Sequence, residues 1–313
     1  MTWRLGACVL LAGGCLALLA GCENGSSGSG GASVSFYQQV EQAKKEPSPE
    51  VRARQLTRIG WEQARSGNEL DAEDTLSLGA KACGEIEDAT ARAGAYAYLA
   101  DVQIKLGNKL PGRNALAKAR EAIDKIDVQE FKARSWCKVA KVHHALGEAE
   151  EAASALKTAE DLAGKLVDAE GAPDQVAQTL VLDVVALAYQ EIGQPAEARR
   201  VTSAAAEVAG AIADPRQRSK SLVDVAVTEH TMGEKDAAAA TFTAALASAR
   251  KVDSVYNKVI ALADIAENLY GCGDKEQAKQ VLAEAESGVK QIPEPDWKDQ
   301  ARAEVEKLKG RVQ

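Results

Sequence analysis

Apolar residues recur along most of the chain three and four positions apart, the spacing that places side chains on one face of an α-helix. Single glycines divide the segments with this spacing into units of about 40 residues, a length typical of helical-repeat proteins. The glycines are Gly67, Gly107, Gly147, Gly193, Gly233 and Gly273, and only the interval between Gly147 and Gly193 is longer than the others. The pattern therefore predicts six copies of one helical unit between residues 48 and 292.

Each unit also carries small residues at fixed distances from its glycine. The position seven residues before the glycine holds Gly60, Ala100, Ala140, Ala186, Ala226 and Ala266. The position five residues after it holds Ala72, Gly112, Ala152, Ala198, Ala238 and Ala278. Small residues let two helices approach closely, while larger ones such as Leu76 and Phe242 lie between them at helical spacing. Each unit is therefore predicted to be a helical hairpin.

Signals for the ends of helices agree with the hairpins. Side chains that can cap a helix stand before each glycine at distances that differ by no more than one position, at Ser48, Asp88, Asp127, Asp174, Asp214 and Asp253. Pro49 and Pro215 follow two of them, at the first helical position, where the missing N–H of proline costs nothing. Each periodic glycine then suits the end of the first helix.

This pattern resembles the tetratricopeptide repeat, with small residues in every unit and an aromatic residue near the start of the first helix at Tyr96 and Trp136. The resemblance covers residues 48–292. The unit is longer than the family's usual length of about 34 residues, and the family's proline at the end of the second helix is missing. The resemblance implies an all-α fold, a right-handed α-solenoid of about six hairpins that bury their apolar faces against their neighbours.

The remaining parts of the body are predicted to extend the solenoid. Residues 36–46 and 297–313 are predicted to be terminal helices whose charged residues cap its open ends, so the repeat domain spans residues 36–313. The extra residues of the long interval fall within residues 162–175, where a glycine and a proline would break a helix. A longer surface connection is the simpler interpretation of this segment, and a hinge is the alternative.

The N-terminal residues predict export and a lipid anchor. Residues 1–21 have the layout of a secretory signal, with Arg4 followed by an apolar stretch too short to read as a spanning helix. Their end, Leu19-Ala20-Gly21-Cys22, resembles the lipobox of bacterial lipoproteins, which implies lipid attachment to Cys22. Residues 22–35 are rich in glycine and serine and are predicted to be a flexible tether. These features predict a protein lipid-anchored to the non-cytoplasmic side of a membrane in the bacterial cell envelope; an ordinary cleaved signal is the alternative.

Charge and motifs narrow the classes of function. Without residues 1–21 the chain has 37 basic and 46 acidic side chains, a formal charge of 37 − 46 = −9, which opposes binding to nucleic acid. The sequence has no phosphate-binding glycine loop, zinc pair of cysteines or nucleophile elbow, so no cofactor, metal or enzymatic reaction is expected. Cys83, Cys137 and Cys272 are an odd number, unlike a disulfide framework, and are predicted to be buried free thiols.

Two adjacent histidines are the most conspicuous candidates for chemistry. His143 and His144 diverge by about 100° on a helix, so they cannot both bind one ion as a pair four residues apart would. His144 and His230 both stand three residues before a glycine, but two repeats and about 20 Å apart, too far to share a metal. The glutamates from Glu148 onward suit the start of a second helix, and a catalytic carboxylate among them is the less favoured alternative.

The resemblance also assigns a candidate binding face, because the first helices of tetratricopeptide repeats line the concave surface. The face is mixed in charge, with basic residues toward its first half. Its predicted exposed residues are Arg54, Trp61, Arg65, Asp101, Lys105, Arg134, Lys141, His144, Asp183, Gln190, Lys220, His230, Glu267 and Tyr270. We expect this face to bind protein or peptide partners of the cell envelope, which would make the protein a membrane-anchored scaffold or adaptor. A small-ligand or polysaccharide-binding protein that uses Trp61 and Tyr270 as stacking platforms is the alternative, and an enzyme with unrecognised residues is a third.

Cys22→Ser is expected to abolish acylation and to release the protein from the membrane fraction, because each buried acyl methylene contributes about 0.8 kcal/mol to membrane affinity. Metabolic labelling with palmitate and fractionation of cells measure the two effects. Cys15→Ser is the matched control, since Cys15 lacks the larger apolar residue three positions before it. Uptake of label by the Cys22→Ser protein, with retention in the membrane, would contradict the lipoprotein assignment.

Overall fold

The computed structural model describes residues 34–312, which contain fourteen helices and no β-strand. The predicted signal segment and Cys22 lie outside the described residues, as does most of the predicted tether. In the part of the chain that is described, no helix is both long and apolar enough to cross a membrane. The prediction of an all-α fold is confirmed for the body that begins at Phe36.

The helices follow the predicted hairpins in order along the chain. Their bounds are α1 (Phe36–Lys44), α2 (Pro49–Arg65), α3 (Glu69–Gly84), α4 (Ala89–Lys105), α5 (Lys109–Asp124), α6 (Gln129–Ala145), α7 (Ala149–Ala163), α8 (Gln175–Glu191), α9 (Pro195–Ala211), α10 (Pro215–Thr231), α11 (Lys235–Ala249), α12 (Val255–Gly271), α13 (Lys275–Val289) and α14 (Pro295–Val312). Helices α2 to α13 form six pairs of consecutive helices, and each pair is one predicted hairpin.

Each hairpin packs mainly against its neighbours in sequence. The first helices, α2, α4, α6, α8, α10 and α12, contact one another in order, and each second helix also contacts the first helix of the next hairpin. Packing between nearest neighbours is the defining property of a solenoid. At the ends, α1 packs on α2, and α14 packs on both α12 and α13. The predicted solenoid of six hairpins with terminal capping helices is confirmed.

The solenoid curves toward its first helices. Consecutive first helices contact each other, whereas consecutive second helices among the described residues make few contacts or none. The first helices therefore lie closer together than the second helices do, as on the inner side of an arc. Their exposed face is the concave surface.

Small residues allow the two helices of each hairpin to approach closely. Ala100, Ala140 and Ala186, at the position seven residues before the glycine, are fully buried. In the first hairpin a Cβ atom added to Gly60 would lie 2.6 Å from Cγ of Leu76 in α3, closer than two such atoms can come. The small-residue pattern therefore marks the contact between the helices, as predicted.

The first helices all begin at the same distance from their glycines, so the residue just before each start is the capping position. Asp88 occupies this position in the second hairpin, and its carboxylate accepts a hydrogen bond of 2.7 Å from the backbone N–H of Ala91. The same role is confirmed for Ser48, Asp174 and Asp214.

Two predicted capping residues are wrong. Asp127 and Asp253 each stand one position too early for the register of the hairpins. Ser254 caps α12 in place of Asp253, and its hydroxyl accepts a hydrogen bond of 3.3 Å from Asn257 N–H. Val128 precedes α6, where no side chain forms a cap.

The periodic glycines end the first helices in a left-handed conformation. Their φ angles lie between +77° and +89°, which glycine adopts without the steric cost that a Cβ atom adds. At Gly107 the backbone N–H donates to the carbonyl of Ile104 at 2.9 Å. The N–H of Asn108 reaches back to the carbonyl of Gln103 at 2.8 Å, which satisfies another carbonyl at the end of the helix.

The long connection between α7 and α8 is bonded to the helices that it joins. The carbonyl of Leu166 accepts hydrogen bonds of 3.0 Å from the N–H of Asp174 and from Nε2 of Gln178. The carboxylate of Asp168 accepts from the N–H groups of Glu170 and Ala172 within the loop. The extra residues therefore form a connecting loop that is held by hydrogen bonds within itself and to the start of α8.

Gly147→Ala is expected to lower the free energy of unfolding by about 1 kcal/mol, because alanine at a φ of +80° is strained. No atom lies within 4 Å of the added Cβ, so steric contact does not contribute. Gly210→Ala in α9 is the matched control, since it also adds a Cβ in open space but without a positive φ.

The control is expected to raise the free energy of unfolding by about 0.5–1 kcal/mol through helix propensity. Urea unfolding followed by circular dichroism measures both variants. Effects of the same sign would contradict the assigned role of the periodic glycines.

Candidate partner-binding surface

The exposed stripe of each first helix is defined by its distance from the periodic glycine. Positions 17, 13, 9, 6 and 2 before the glycine fall within an arc of about 80° on a helix with about 3.6 residues per turn. The positions 14, 10 and 7 before it point toward the second helix and are buried in every hairpin. We call the five outward positions the concave stripe.

Most of the predicted face residues stand in the concave stripe. They are Arg54, Trp61, Arg65, Asp101, Lys105, Arg134, Lys141, Lys220 and Glu267. The structure therefore brings these residues onto one continuous surface of the first helices.

Four other predicted residues lie at the margin of this surface. His144, Gln190, His230 and Tyr270 stand three residues before their glycines, at the end of the first helix beside its own second helix. Tyr270 illustrates the position, because Nζ of Lys275 at the start of α13 lies 5.7 Å from its ring centroid. Helix α8 lies between α6 and α10, so the structure does not bring His144 and His230 together.

The prediction that Asp183 is exposed is wrong. Its position, ten residues before the glycine, is buried in every hairpin, and the residue is only 7% exposed. Burial raises the pKa of the Asp183 carboxyl well above its ordinary value, and the charges of Asp224 and Glu229 raise it further, while a hydrogen bond with Thr228 lowers it. Oδ1 of Asp183 has no hydrogen-bond partner among the described residues. The carboxyl therefore lies behind the concave surface.

Most charged residues of the concave stripe are paired locally. Lys105 contacts Asp101 at 2.7 Å, and Arg134 contacts Glu130 at 3.2 Å, each pair one helical turn apart. Lys141 contacts Glu191 of the next hairpin at 2.5 Å. Exposed pairs of this kind contribute only about 0.2–1 kcal/mol, so a charged partner can compete for either member.

Lys138 is a stripe residue that the sequence-based face omitted. It stands nine residues before Gly147, is exposed, and has no carboxylate within 4.0 Å among the described residues. Its Nζ lies 3.2 Å from the point where a Cβ of Gly94 would stand, so the amine rests against α4. Although the side chain is exposed, atoms of the surrounding surface partly desolvate the amine and lower the pKa of Lys138. The charges of Arg134 and Lys141 lower the pKa further, against the effect of Glu50.

The sequence-based face omitted every residue at the position of Lys138. The position nine before the glycine holds Arg58, Tyr98, Lys138, Val184, Asp224 and Asp264. The four-residue spacing from Arg54 to Arg58 was a sequence signal for this position, because residues four apart share a helix face. Tyr98 is the one aromatic residue among these six, and 40% of its surface is exposed.

His143 has a structural role outside the concave surface. Its Nδ1 lies 2.6 Å from Oε2 of Glu148, and Glu148 also forms an ion pair with Arg113 of α5. The hydrogen bond with His143 lowers the pKa of Glu148 most, and Arg113 lowers it further against the effect of burial. This contact ties the end of α6 to the second helices on either side. Across residues 34–312, no group of three or more His, Cys, Asp or Glu side chains could hold a metal ion.

The cysteines show the environment of unreactive thiols. Cys83 and Cys137 are buried, and burial raises the pKa of each thiol to about 12. Cys272 is half-buried, and burial raises its pKa as well. The prediction of buried free thiols is confirmed for Cys83 and Cys137.

Helix α14 extends the concave surface by one element. It packs on α12, and the ring of Trp297 lies 5.7 Å from that of Tyr256 between centroids. A groove of about 310 Å³ runs between the two helices. Its lining residues include Tyr256, Ile260, Asp264, Glu267, Glu304 and Leu308. The groove is therefore partly apolar with an acidic rim.

No protein-family model matches the chain, and no curated protein matches it in sequence. Several solved structures are similar to the chain at low sequence identity. Ton1535 from Thermococcus onnurineus NA1 is 12% identical, with a TM-score of 0.41 over 86% of this chain and 95% of that one. BtubC from P. vanneervenii is 15% identical, with a TM-score of 0.37 over 69% of this chain and 91% of that one. A Rap protein complexed with Competence and Sporulation Factor is 14% identical, with a TM-score of 0.33 over 88% of this chain and 84% of that one.

Asp183→Asn is expected to become progressively more stable than the unaltered protein as the pH rises from about 4 to 8. The reason is that a carboxyl with a raised folded-state pKa ionises first in the unfolded chain, so its burial destabilises the fold increasingly above its ordinary pKa of 3.8. Urea unfolding at several pH values measures the difference. Asp161→Asn on the exposed side of α7 is the matched control and should show no such trend. A difference for Asp183→Asn that does not vary with pH would contradict the buried-carboxyl assignment.

Proposed function

We propose that the protein is a membrane-anchored lipoprotein that acts as a scaffold or adaptor, binding protein or peptide partners along its concave surface. The observation that carries this proposal is the continuous concave stripe of six first helices, which exposes aromatic, apolar and charged side chains together. Solenoids present long surfaces of this kind to extended partners. No reaction is part of the proposed function.

The dimensions of the surface favour a peptide over a small molecule. Six first helices packed at about 8–10 Å from one another give a surface roughly 40–50 Å long. Sites for small molecules are typically concave pockets that bury most of the ligand. The groove between α12 and α14, about 310 Å³, covers only one end of this length.

The alternative of a small-ligand or polysaccharide-binding protein has weaker support. Its two proposed stacking platforms, Trp61 and Tyr270, lie in α2 and α12, at opposite ends of the row of first helices. Arg65 lies 5.8 Å from the ring centroid of Trp61, and Lys275 lies 5.7 Å from that of Tyr270. Both rings already have a cationic neighbour over one face, which leaves less surface for a sugar ring.

The anchor and the tether complete the proposal. Acylation of Cys22 would hold the protein on the non-cytoplasmic side of a membrane in the cell envelope, and residues 23–35 would give it a reach of roughly 20 Å. Partners bound on the concave surface would then be held close to that membrane. This part of the proposal rests on the sequence of the N-terminal segment that precedes α1.

A photo-crosslinking amino acid at Tyr98 is expected to capture a defined partner in intact cells, because Tyr98 is exposed in the middle of the concave stripe. The same amino acid at Glu207, exposed on the second helix α9, is the matched control and should not capture that partner. Mass spectrometry of the crosslinked species identifies what is captured. Equal capture at both positions, or none at Tyr98 in cells that contain the anchored protein, would count against the proposed surface.

A further inference from the structure

One position of the repeat changes in chemical character along the concave surface. The position nine residues before the glycine, which we call the floor position, reads Arg58, Tyr98, Lys138, Val184, Asp224 and Asp264 from the first hairpin to the sixth. The first three hairpins contribute two cations and an aromatic ring, the fourth an apolar side chain, and the last two carboxylates. Because neighbouring first helices pack side by side, this order along the chain is also an order along the surface.

The basic end includes three cationic side chains in the concave stripe of α6. Lys138 at the floor position stands between Arg134 and Lys141, one turn before and one turn after it on the same face. Arg134 and Lys141 have acidic partners, whereas no described carboxylate lies within 4.0 Å of Lys138. Burial lowers the pKa of Lys138, and the repulsion from the two neighbouring cations lowers it further. An anionic partner would relieve the repulsion.

The centre of the surface is apolar. Helix α8 presents four aliphatic side chains in its concave stripe, each half-buried: Val176, Leu180, Val184 and Leu187. Val227 of α10 stands in the neighbouring stripe and is also half-buried. Burying the remaining exposed surface of these side chains would favour binding of an apolar partner segment.

The acidic end lies over α12 and α14, because the stripe of α10 holds Arg216 and Lys220 beside Asp224. Burial raises the pKa of Asp264, and the nearby carboxylates Asp224 and Glu267 raise it further against the effect of Lys220. Asp264 and Glu267 also line the groove of about 310 Å³, together with the aromatic ring of Tyr256. Glu267 is paired with Arg311 of α14 at 2.6 Å, an exposed pair in which a partner cation can compete for the carboxylate. Acidic side chains beside an aromatic face and an apolar wall are the surroundings that suit a lysine or arginine side chain.

We propose that the concave surface binds a segment of a partner protein whose acidic residues lie over α6, whose apolar centre lies over α8, and whose basic residues enter the groove between α12 and α14. This inference rests on the proposed function and adds the chemistry of the partner. Three helix spacings of about 8–10 Å separate α6 from α12. An extended chain at about 3.3 Å per residue spans this distance with roughly seven to nine residues.

Synthetic peptides test the order of charges directly. The probe has four glutamates, a central hexapeptide of leucine, valine and serine, and four lysines, with a dye at one end. The control peptide has the same composition with glutamates and lysines alternating. Binding to the full-length protein in detergent is measured by fluorescence anisotropy. We expect the block peptide to bind at least tenfold more tightly than the alternating one.

Variants of the protein test where each end of the peptide binds. Lys138→Glu is expected to weaken binding of the block peptide about tenfold and to strengthen binding of a peptide with lysines at both ends. Asp264→Lys is the second variant. It should weaken binding of the block peptide and strengthen binding of a peptide with glutamates at both ends. Lys157→Glu, on the exposed side of α7, carries the same charge change as Lys138→Glu and should have little effect. Circular dichroism confirms that each variant is folded.

The results distinguish this inference from the proposed function on which it rests. Equal affinity for the block and alternating peptides, no binding of either, or equal effects of Lys138→Glu and Lys157→Glu would overturn the charge order. Capture of a partner from Tyr98 in cells would support the proposed function even then. A captured partner without an acidic, apolar and basic segment would likewise overturn the inference and leave the scaffold proposal standing.

Discussion

The close contact between the two helices of each hairpin is the constraint on which the rest of the structure depends. At the position seven before the glycine, a Cβ placed on Gly60 would lie only 2.6 Å from Cγ of Leu76, and the alanines of the next three hairpins, Ala100, Ala140 and Ala186, are fully buried. Packing at protein density leaves no room for adjustment there. The contact therefore fixes the rotation of the first helix, and with it the direction of every side chain on the opposite face. The concave surface is a consequence of packing on the side that faces away from it.

The hairpins could be predicted because their signals are local and repeated. Apolar spacing, small residues and a glycine at a fixed interval all recur within a single unit, and the observed helices follow them. Helix starts were less predictable where the local signals competed. Asp127 and Asp253 are good capping residue types, but the register set by packing places the cap one residue later, at Val128 and Ser254. Residue type alone does not decide a boundary that the hairpin contact has already determined.

The candidate surface was predictable only in part. Arg54, Trp61 and Lys141, which were assigned by resemblance, stand in the concave stripe. The same assignment omitted the position nine before the glycine. Arg58 holds this position four residues after Arg54, and residues four apart lie on the same face of a helix. Asp183 could not be judged from its own helix, because its burial depends on how closely α10 packs against α8. The residue pattern within a single repeat does not predict which side chains the next hairpin will bury.

Two residues near the floor position keep the same character in every hairpin. They are the small residue two positions after it and the periodic glycine nine positions after it. The side chain at that position differs in size and charge from one hairpin to the next, as the series from Arg58 to Asp264 illustrates. Recognition by such a surface is modular, because each copy of the repeat contributes its own side chains to the surface. Duplication of a hairpin would lengthen the segment that is recognised, and a single substitution would change one position of its specificity while the architecture stayed intact.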